Sequence, residues 1–376
     1  MKKIIYILLL TLSFNIFAAN NYIIVDAGSS GSRIHFFKYE NNKKLPAIEE
    51  IFSEKNKLPL ASFKENPEKA GESLKPLLDE LQFFIKQDQI ATPVKISILA
   101  TAGMRLLTSA EQTKIYNNVE DYLNKNYKDI YLAEDIKTVS GKMEGVYNWL
   151  DINYLSGTFE NNSTPVGAID TGGASTEISY SIDKSLKPLD ETNLKINGKD
   201  YIIFSKSFLG LGLNEAVSSM VQDKDAAFCY PKNYEYSYGV GDFNLIFCED
   251  LFNQIISNYN IKNQILPTYK TPKFIATSGA YYVYRFFGAT PDLPDRETLE
   301  QNIINPVCKN DWETLKKAYP AEPEEYLANY CNESLFLDDL YLEAFELRPE
   351  QLIITSKVNE TSLDWALGAL LYKVIK

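Results

Sequence analysis

Two short segments of the same form constrain this chain more than any other feature. IVDAGSSGS (residues 24–32) and AIDTGGAST (residues 168–176) each run two apolar residues, an aspartate, a small residue, a glycine, then further small or hydroxyl-bearing residues. Their aspartates, Asp26 and Asp170, lie 144 positions apart, close to the length of one domain. One such segment reads as a glycine hairpin and nothing more. Two at that spacing predict a duplicated domain whose two turns face each other across a cleft.

Phosphate is the ligand such turns suit. Glycine lets backbone approach a ligand closely, so successive N–H groups can converge on an anion. Ser29, Ser30, Ser32, Ser175 and Thr176 add hydroxyls, and Arg33 adds a planar fork matched to phosphate oxygens. Asp26 and Asp170 would repel that anion unless they hold a hydrated divalent cation that bridges the phosphates. No G-x-x-x-x-G-K-[ST] occurs, so this is not a Walker loop.

Composition narrows the chemistry further. The 376 residues are 45% hydrophobic and 13% aromatic, which is globular, and long enough for two domains. A net charge of −12 argues against nucleic-acid binding. It leaves anionic substrates open, because a bound cation reverses the local field. With His35 as the sole histidine and no G-x-S-x-G elbow, hydrolysis must lean on carboxylates, hydroxyls and backbone groups.

The pattern of elements is α/β. Each glycine segment reads as strand, turn, strand. Residues 40–65 read as a polar loop, and Asn66-Pro67 as the cap and first turn of a helix with Leu74, Leu77, Leu78, Leu81, Phe84 and Ile85 on one face. VKISILA (94–100) reads as a buried strand. Thr108-x-x-Glu111 is a capping box, and Ser140 caps a helix carrying Glu144 in its first turn. Helical patterns follow from Asn244, Ala280 and Pro323 (the last through Leu347), and Ser362 is expected to cap a final helix.

MKKIIYILLLTLSFNIFAA has the basic start, short apolar run and small residues of a secretory signal peptide over 1–19. The mature protein is then secreted or periplasmic, with no stable membrane span. Four cysteines in such a chain suggest two disulfides. Three pairings are open; Cys229 with Cys248 and Cys308 with Cys331 is favoured because both close short loops. Nothing in the sequence specifies an oligomeric state.

Five segments in order now carry a family resemblance: VDAGSSGSR (25–33), ATAGMR (100–105), SGKMEGVYNW (140–149), DTGGAST (170–176) and WALGALL (365–371). FLGLGLNEA (208–216) resembles the segment that follows the fourth motif. The chain resembles the ecto-nucleoside triphosphate diphosphohydrolases, or apyrases. That resemblance implies a two-lobed, actin-like (RNase H-like) duplicated fold with the active site between lobes. One lobe would comprise 20–140 with 356–376, the other 141–355. It implies hydrolysis of nucleoside tri- and diphosphates to monophosphates, dependent on Mg2+ or Ca2+. Carried over by motif, Glu144 is the general base. Thr101 and Ser175 place the attacking water. Asp26 and Asp170 organise the metal's water shell. Ser29, Ser30, Gly31, Ser32, Gly172, Gly173 and Ala174 line the phosphate turns, and Arg33 supports them. Tyr282 and Phe345 lie in segments resembling the nucleoside-binding region. Glu177 departs from the pattern, since the family usually has Gln there. DTGGASTE also resembles the exopolyphosphatase/guanosine-pentaphosphate phosphatase family, which is the enzymatic alternative. A secreted nucleotide-binding protein without catalysis is the other.

Overall fold

The computed structural model describes residues 20–41, 44–183, 186, 191–268 and 271–376. The apolar leader at 1–19 lies outside the described residues, so the signal-peptide reading stays an expectation. Among the described residues no helix is long and apolar enough to cross a membrane.

The first half builds a five-stranded sheet from Asn20–Ala27 (β1), Ser32–Glu40 (β2), Ala47–Asn56 (β3), Val94–Ala100 (β4) and Tyr131–Thr138 (β5), ordered β3-β2-β1-β4-β5. β1 pairs antiparallel with β2 and parallel with β4. The second half builds a six-stranded sheet from Gly167–Thr171 (β6), Ser175–Ser181 (β7), Glu191–Ile196 (β8), Lys199–Leu209 (β9), Phe274–Ser278 (β10) and Leu352–Ile354 (β11), ordered β11-β10-β6-β7-β9-β8. Apart from the extra edge strand β8, the two orders are the same. In each, a glycine hairpin occupies the centre, a third strand runs antiparallel to the hairpin's second, and two parallel strands flank its first. The internal repeat read from sequence is therefore a repeat of topology.

The helices around these sheets include Lys75–Gln87 (α1), Ala102–Arg105 (α2), Ser109–Asn126 (α3), Gly141–Leu155 (α4), Leu213–Met220 (α5), Leu245–Ser257 (α6), Gly279–Phe286 (α7), Tyr330–Asp338 (α8) and Trp365–Ile375 (α9). β1 is apolar on both faces because both are covered. Ile23 and Val25 pack with Leu77, Leu78 and Leu81 of α1, while Tyr22 and Ile24 pack under Trp365, Leu367 and Leu370 of α9. α4 lays Val146, Trp149 and Leu150 on Ala168, Tyr201 and Ile203 of the second sheet. α4 and α9 press together so closely that a Cβ on Gly368 would stand 1.9 Å from the Tyr147 carbonyl oxygen. That helix pair joins the two sheets. The rest of the second half forms a separate core, tied by Cys229–Cys248 and Cys308–Cys331.

The capping box at Thr108 and the Ser140 cap both form. Three expectations change. The helix expected from Asn66 is broken at Leu74, because Pro76 cannot donate a helical hydrogen bond, and Asn66 makes no side-chain cap. The stretch taken as loop contains β3, an edge strand whose charged face is open to solvent. The last helix is capped by Asp364, not Ser362; its carboxylate accepts from Ala366 N at 3.1 Å.

Candidate active site

The two hairpin turns meet. A Cβ on Gly173 of the second would lie 2.8 Å from Ser29 Oγ of the first. The carbonyls of Gly172 and Gly173 accept from Leu213 N and Asn214 N, each at 2.9 Å, at the start of α5. Since C=O and the following N–H point opposite ways across a trans peptide, the N–H groups of Gly173 and Ala174 turn away from α5. Gly212 permits this contact: a Cβ there would come within 2.5 Å of Gly173 C, Ala174 N and Ser175 N. On the first turn, Gly31 runs against the end of β3, where a Cβ would lie 2.2 Å from Asn56 O.

Behind the turns four carboxyl groups converge. Asp26 and Asp170 end the first strands of the two hairpins, at equivalent places. Burial pushes both upward; Asp26 is also raised by Asp364 and by Asp170, and Asp170, further raised by Glu177, reaches about 7. Asp170 is thus among the charges felt by Asp26, beneath turns that meet at Gly173 and Ser29. Glu144, in the first turn of α4, and Glu177, on β7, are buried beside them. The helix dipole at its first turn favours the charged form of Glu144, yet burial outweighs it. Its carboxyl is pushed well above the usual range, by burial first and then by Glu177, against the opposing pull of Arg105.

Arg105 is the residue that sequence reasoning missed. It closes α2, after the Thr101-Ala102-Gly103 turn that follows β4, and reaches across to the second half. Nη2 donates to Glu144 Oε2 (2.6 Å), Ser175 Oγ (3.1 Å) and Glu177 Oε1 (3.3 Å), and Nη1 to Ser207 Oγ (3.0 Å). Ser175 and Ser207 both donate to Glu177 Oε1 at 2.6 Å. The only signal available in ATAGMR was an arginine just after a small-residue turn. Ser278 was missed too: it sits at φ +59, ψ −126, and its side chain hydrogen-bonds Asp170, a strained backbone of the kind found at working sites.

Thr101 stands at the N-cap position of α2 without a side-chain capping bond, and its N–H donates to Ala27 O, beside the first turn, at 3.2 Å. Ser29, Ser30, Gly31, Gly172 and Gly173 remain accessible at the groove. Two hydroxyls do not serve it. Ser32 is buried and donates to Leu58 O, and Thr176 points to the opposite face of β7, toward Leu211 O. Strand alternation puts Ser175 and Glu177 on the groove side and Thr176 on the core side.

Arg33 pairs with Asp364 Oδ2 at 2.6 Å and is influenced by both Asp26 and Tyr282. Tyr282, half exposed on α7, opens a cavity of about 360 Å³ lined by Phe286, Tyr319, Tyr326 and Tyr330, with Arg285 and Glu322. Phe345 does not join it. It is fully buried between Phe208 and Tyr341 and has no face to offer a base.

A divalent cation fits this groove by charge. Asp26 Oδ1 is buried without a hydrogen-bond partner, and of the four carboxyl groups only Glu144 and Glu177 pair with the guanidinium of Arg105. Among the described residues no three His, Cys, Asp or Glu side chains converge tightly enough to ligate an ion directly.

Opposed glycine hairpins on two sheets of one topology, closing over buried carboxylates, define an actin-like phosphate-handling enzyme. The fold is similar to that of nucleoside triphosphate hydrolases from Neospora caninum (TM-score 0.60, 15% identity, 95% of this chain and 93% of that chain) and of an Aquifex aeolicus Ppx/GppA protein (TM-score 0.57, 13% identity, 95% and 98%). The sequence is similar to "Probable apyrase 3" of Arabidopsis thaliana, 27% identical over 94% of this chain and 82% of that protein. It is also similar to the ectonucleoside triphosphate diphosphohydrolase 8 of Rattus norvegicus, 26% identical over 93% and 81%. The chain belongs to the GDA1/CD39 (nucleoside phosphatase) family, whose pattern matches residues 18–264 and 259–376. It is a hydrolase of nucleotide phosphates.

Proposed function

We propose that this enzyme removes terminal phosphates from nucleoside tri- and diphosphates outside the cytoplasm, ending at the monophosphate, and that it needs a divalent cation such as Mg2+ or Ca2+. The reading rests above all on the contact between the two glycine turns with Glu144 buried behind them. We divide the chain into lobes 20–140 with 356–376, and 141–355, with the groove between them.

Phosphoryl transfer asks mainly for positioning and charge neutralisation. The N–H groups of Gly173 and Ala174, with Ser29, Ser30 and Gly31 opposite, hold the terminal phosphate from two sides. Asp26 and Asp170 would hold a hydrated divalent cation, which when bound would offset the negative charge of the phosphate oxygens. Ser175 and Thr101 fix the attacking water. Glu144 takes the proton from that water as it adds in line to the terminal phosphorus, while the bridging P–O bond opposite breaks and its electron pair leaves on the shortened nucleotide, releasing inorganic phosphate. Arg105 keeps the Glu144 carboxylate oriented toward the groove. The base stacks on Tyr282 at the mouth of the aromatic cavity, which tolerates any π-face. Export agrees with the two disulfides.

A timed product analysis on ATP and ADP, with and without chelator, tests this. ATP should pass to AMP and chelator should stop both steps. Release of phosphate from long-chain polyphosphate in preference to nucleotides would favour the exopolyphosphatase reading, which Glu177 supports and the aromatic cavity opposes. Tight ATP binding without phosphate release would leave only a binding protein.

A further inference from the structure

Catalysis at Glu144 gives the sole histidine no task, yet His35 is buried in a chain of charges that ends in the groove. β2 carries Arg33 and His35 two residues apart, so the pleat sets both on one face. His35 Nδ1 lies 2.6 Å from Glu50 Oε1 on β3. Its Nε2 lies 3.3 Å from Asp364 Oδ2, an ion contact, and that same oxygen lies 2.6 Å from Arg33 Nη1. Asp364 is fixed from its other sides: its Oδ1 accepts from Ala366 N, and its own N–H donates to Asp151 Oδ2 at 3.0 Å. A ring with a carboxylate at each nitrogen needs both nitrogens protonated, since a neutral imidazole would turn a lone pair toward one of the anions. Burial pulls His35 down, but Asp364 and Glu50 outweigh it and raise it to about 10.

Signs therefore alternate along Glu50, His35, Asp364 and Arg33. Arg33 stands opposite Asp26 in the hairpin register and is influenced by Tyr282. On the proposed reading, a polyphosphate running from the metal-side aspartate toward Tyr282 would pass it. We propose that His35 is a positioning residue. Its charge satisfies Asp364, so that Arg33 is held by that carboxylate without being neutralised by it, and the remaining guanidinium N–H groups face a substrate phosphate. Without His35, Glu50 and Asp364 leave this corner net negative beside Asp26, and Arg33 is drawn into Asp364. The inference rests on Arg33 meeting a phosphate.

Steady-state kinetics on ATP with the full chain tests it, using R33A, H35Q and the double variant. H35Q should raise KM about tenfold and lower kcat much less, the pattern of lost uniform binding. In the R33A background it should raise KM by less than about twofold, because the group it positions is gone. An equal penalty in both backgrounds overturns the proposal, as does an unchanged KM in H35Q when R33A raises it. An unchanged KM in R33A instead overturns the phosphate role of Arg33 itself. Because H35Q alters a buried site, nitrogen NMR of the wild-type protein supplies a second reading. Its lone imidazole should be doubly protonated at pH 7, and a neutral ring refutes the proposal without any variant.

Discussion

Glu144 and Glu177 illustrate how one guanidinium lets two buried acids stand side by side. Replacing Glu144 by Gln keeps shape and hydrogen bonding while removing the base. Turnover should fall by about 10²–10⁴-fold, the usual contribution of a general base, with the unfolding transition retained; near-normal turnover would remove the assignment. Glu177 is the second cause, after burial, of the raised Glu144. Glu177→Gln takes that cause away, so Glu144 should ionise at lower pH and the acid limb of kcat/KM should move downward; a limb that stays or rises would contradict it. The motif residues were legible because glycine and aspartate have few other uses at such turns. Arg105 was not, because a lone arginine after a small-residue turn reads as surface until the fold shows what lies across the groove. Phe345 was misread because an aromatic in a binding segment and one in a core look alike in sequence.

Elements were legible where one local rule governed them. The Thr108 capping box is a local rule, and Thr108→Ala should cost about 1 kcal/mol of stability in denaturant titration while leaving activity intact. Gly212 is the opposite case. Its need for glycine comes from a turn some forty residues earlier in the chain, which no local pattern reveals. Gly212→Ala should displace the second phosphate turn, costing roughly 1–3 kcal/mol by overpacking and lowering activity at temperatures where the fold persists. Full activity there would mean the turn adapts freely. β3 was hidden for a different reason: its partner β2 is the preceding strand, but an edge strand with one charged face carries half the usual apolar signal.

Across the whole molecule, buried acids set the response to pH. Burial pushes Glu333 and Asp339 to about 8 and Asp170 to about 7. Their folded values lie above their unfolded ones, so the folded state holds protons that the unfolded chain releases. The stability they lend is complete below about pH 4 and is lost as pH rises through 7 to 8. Glu134, lowered to about 2, mainly by Lys373 against burial, loses its contribution only in strong acid. Metal-free protein should therefore melt at a lower temperature at pH 8 than at pH 5.5. Divalent cation with nucleotide should recover part of the difference at pH 8 by binding the folded state. A melting temperature that climbs over this range would contradict the assignment. The division into two repeated sheets was readable from two nine-residue segments, because duplication leaves its mark in spacing.

The pairing of α9 with α4 has a consequence in time. Tyr22 and Ile24 are made well before the helix that covers them, which begins at Trp365. A growing chain therefore carries a finished first phosphate turn on a sheet with one bare face. Asp364, the anchor of Arg33, emerges with that same late segment. Chains stopped before that segment should therefore expose the Tyr22 and Ile24 face and lack the anchor of Arg33.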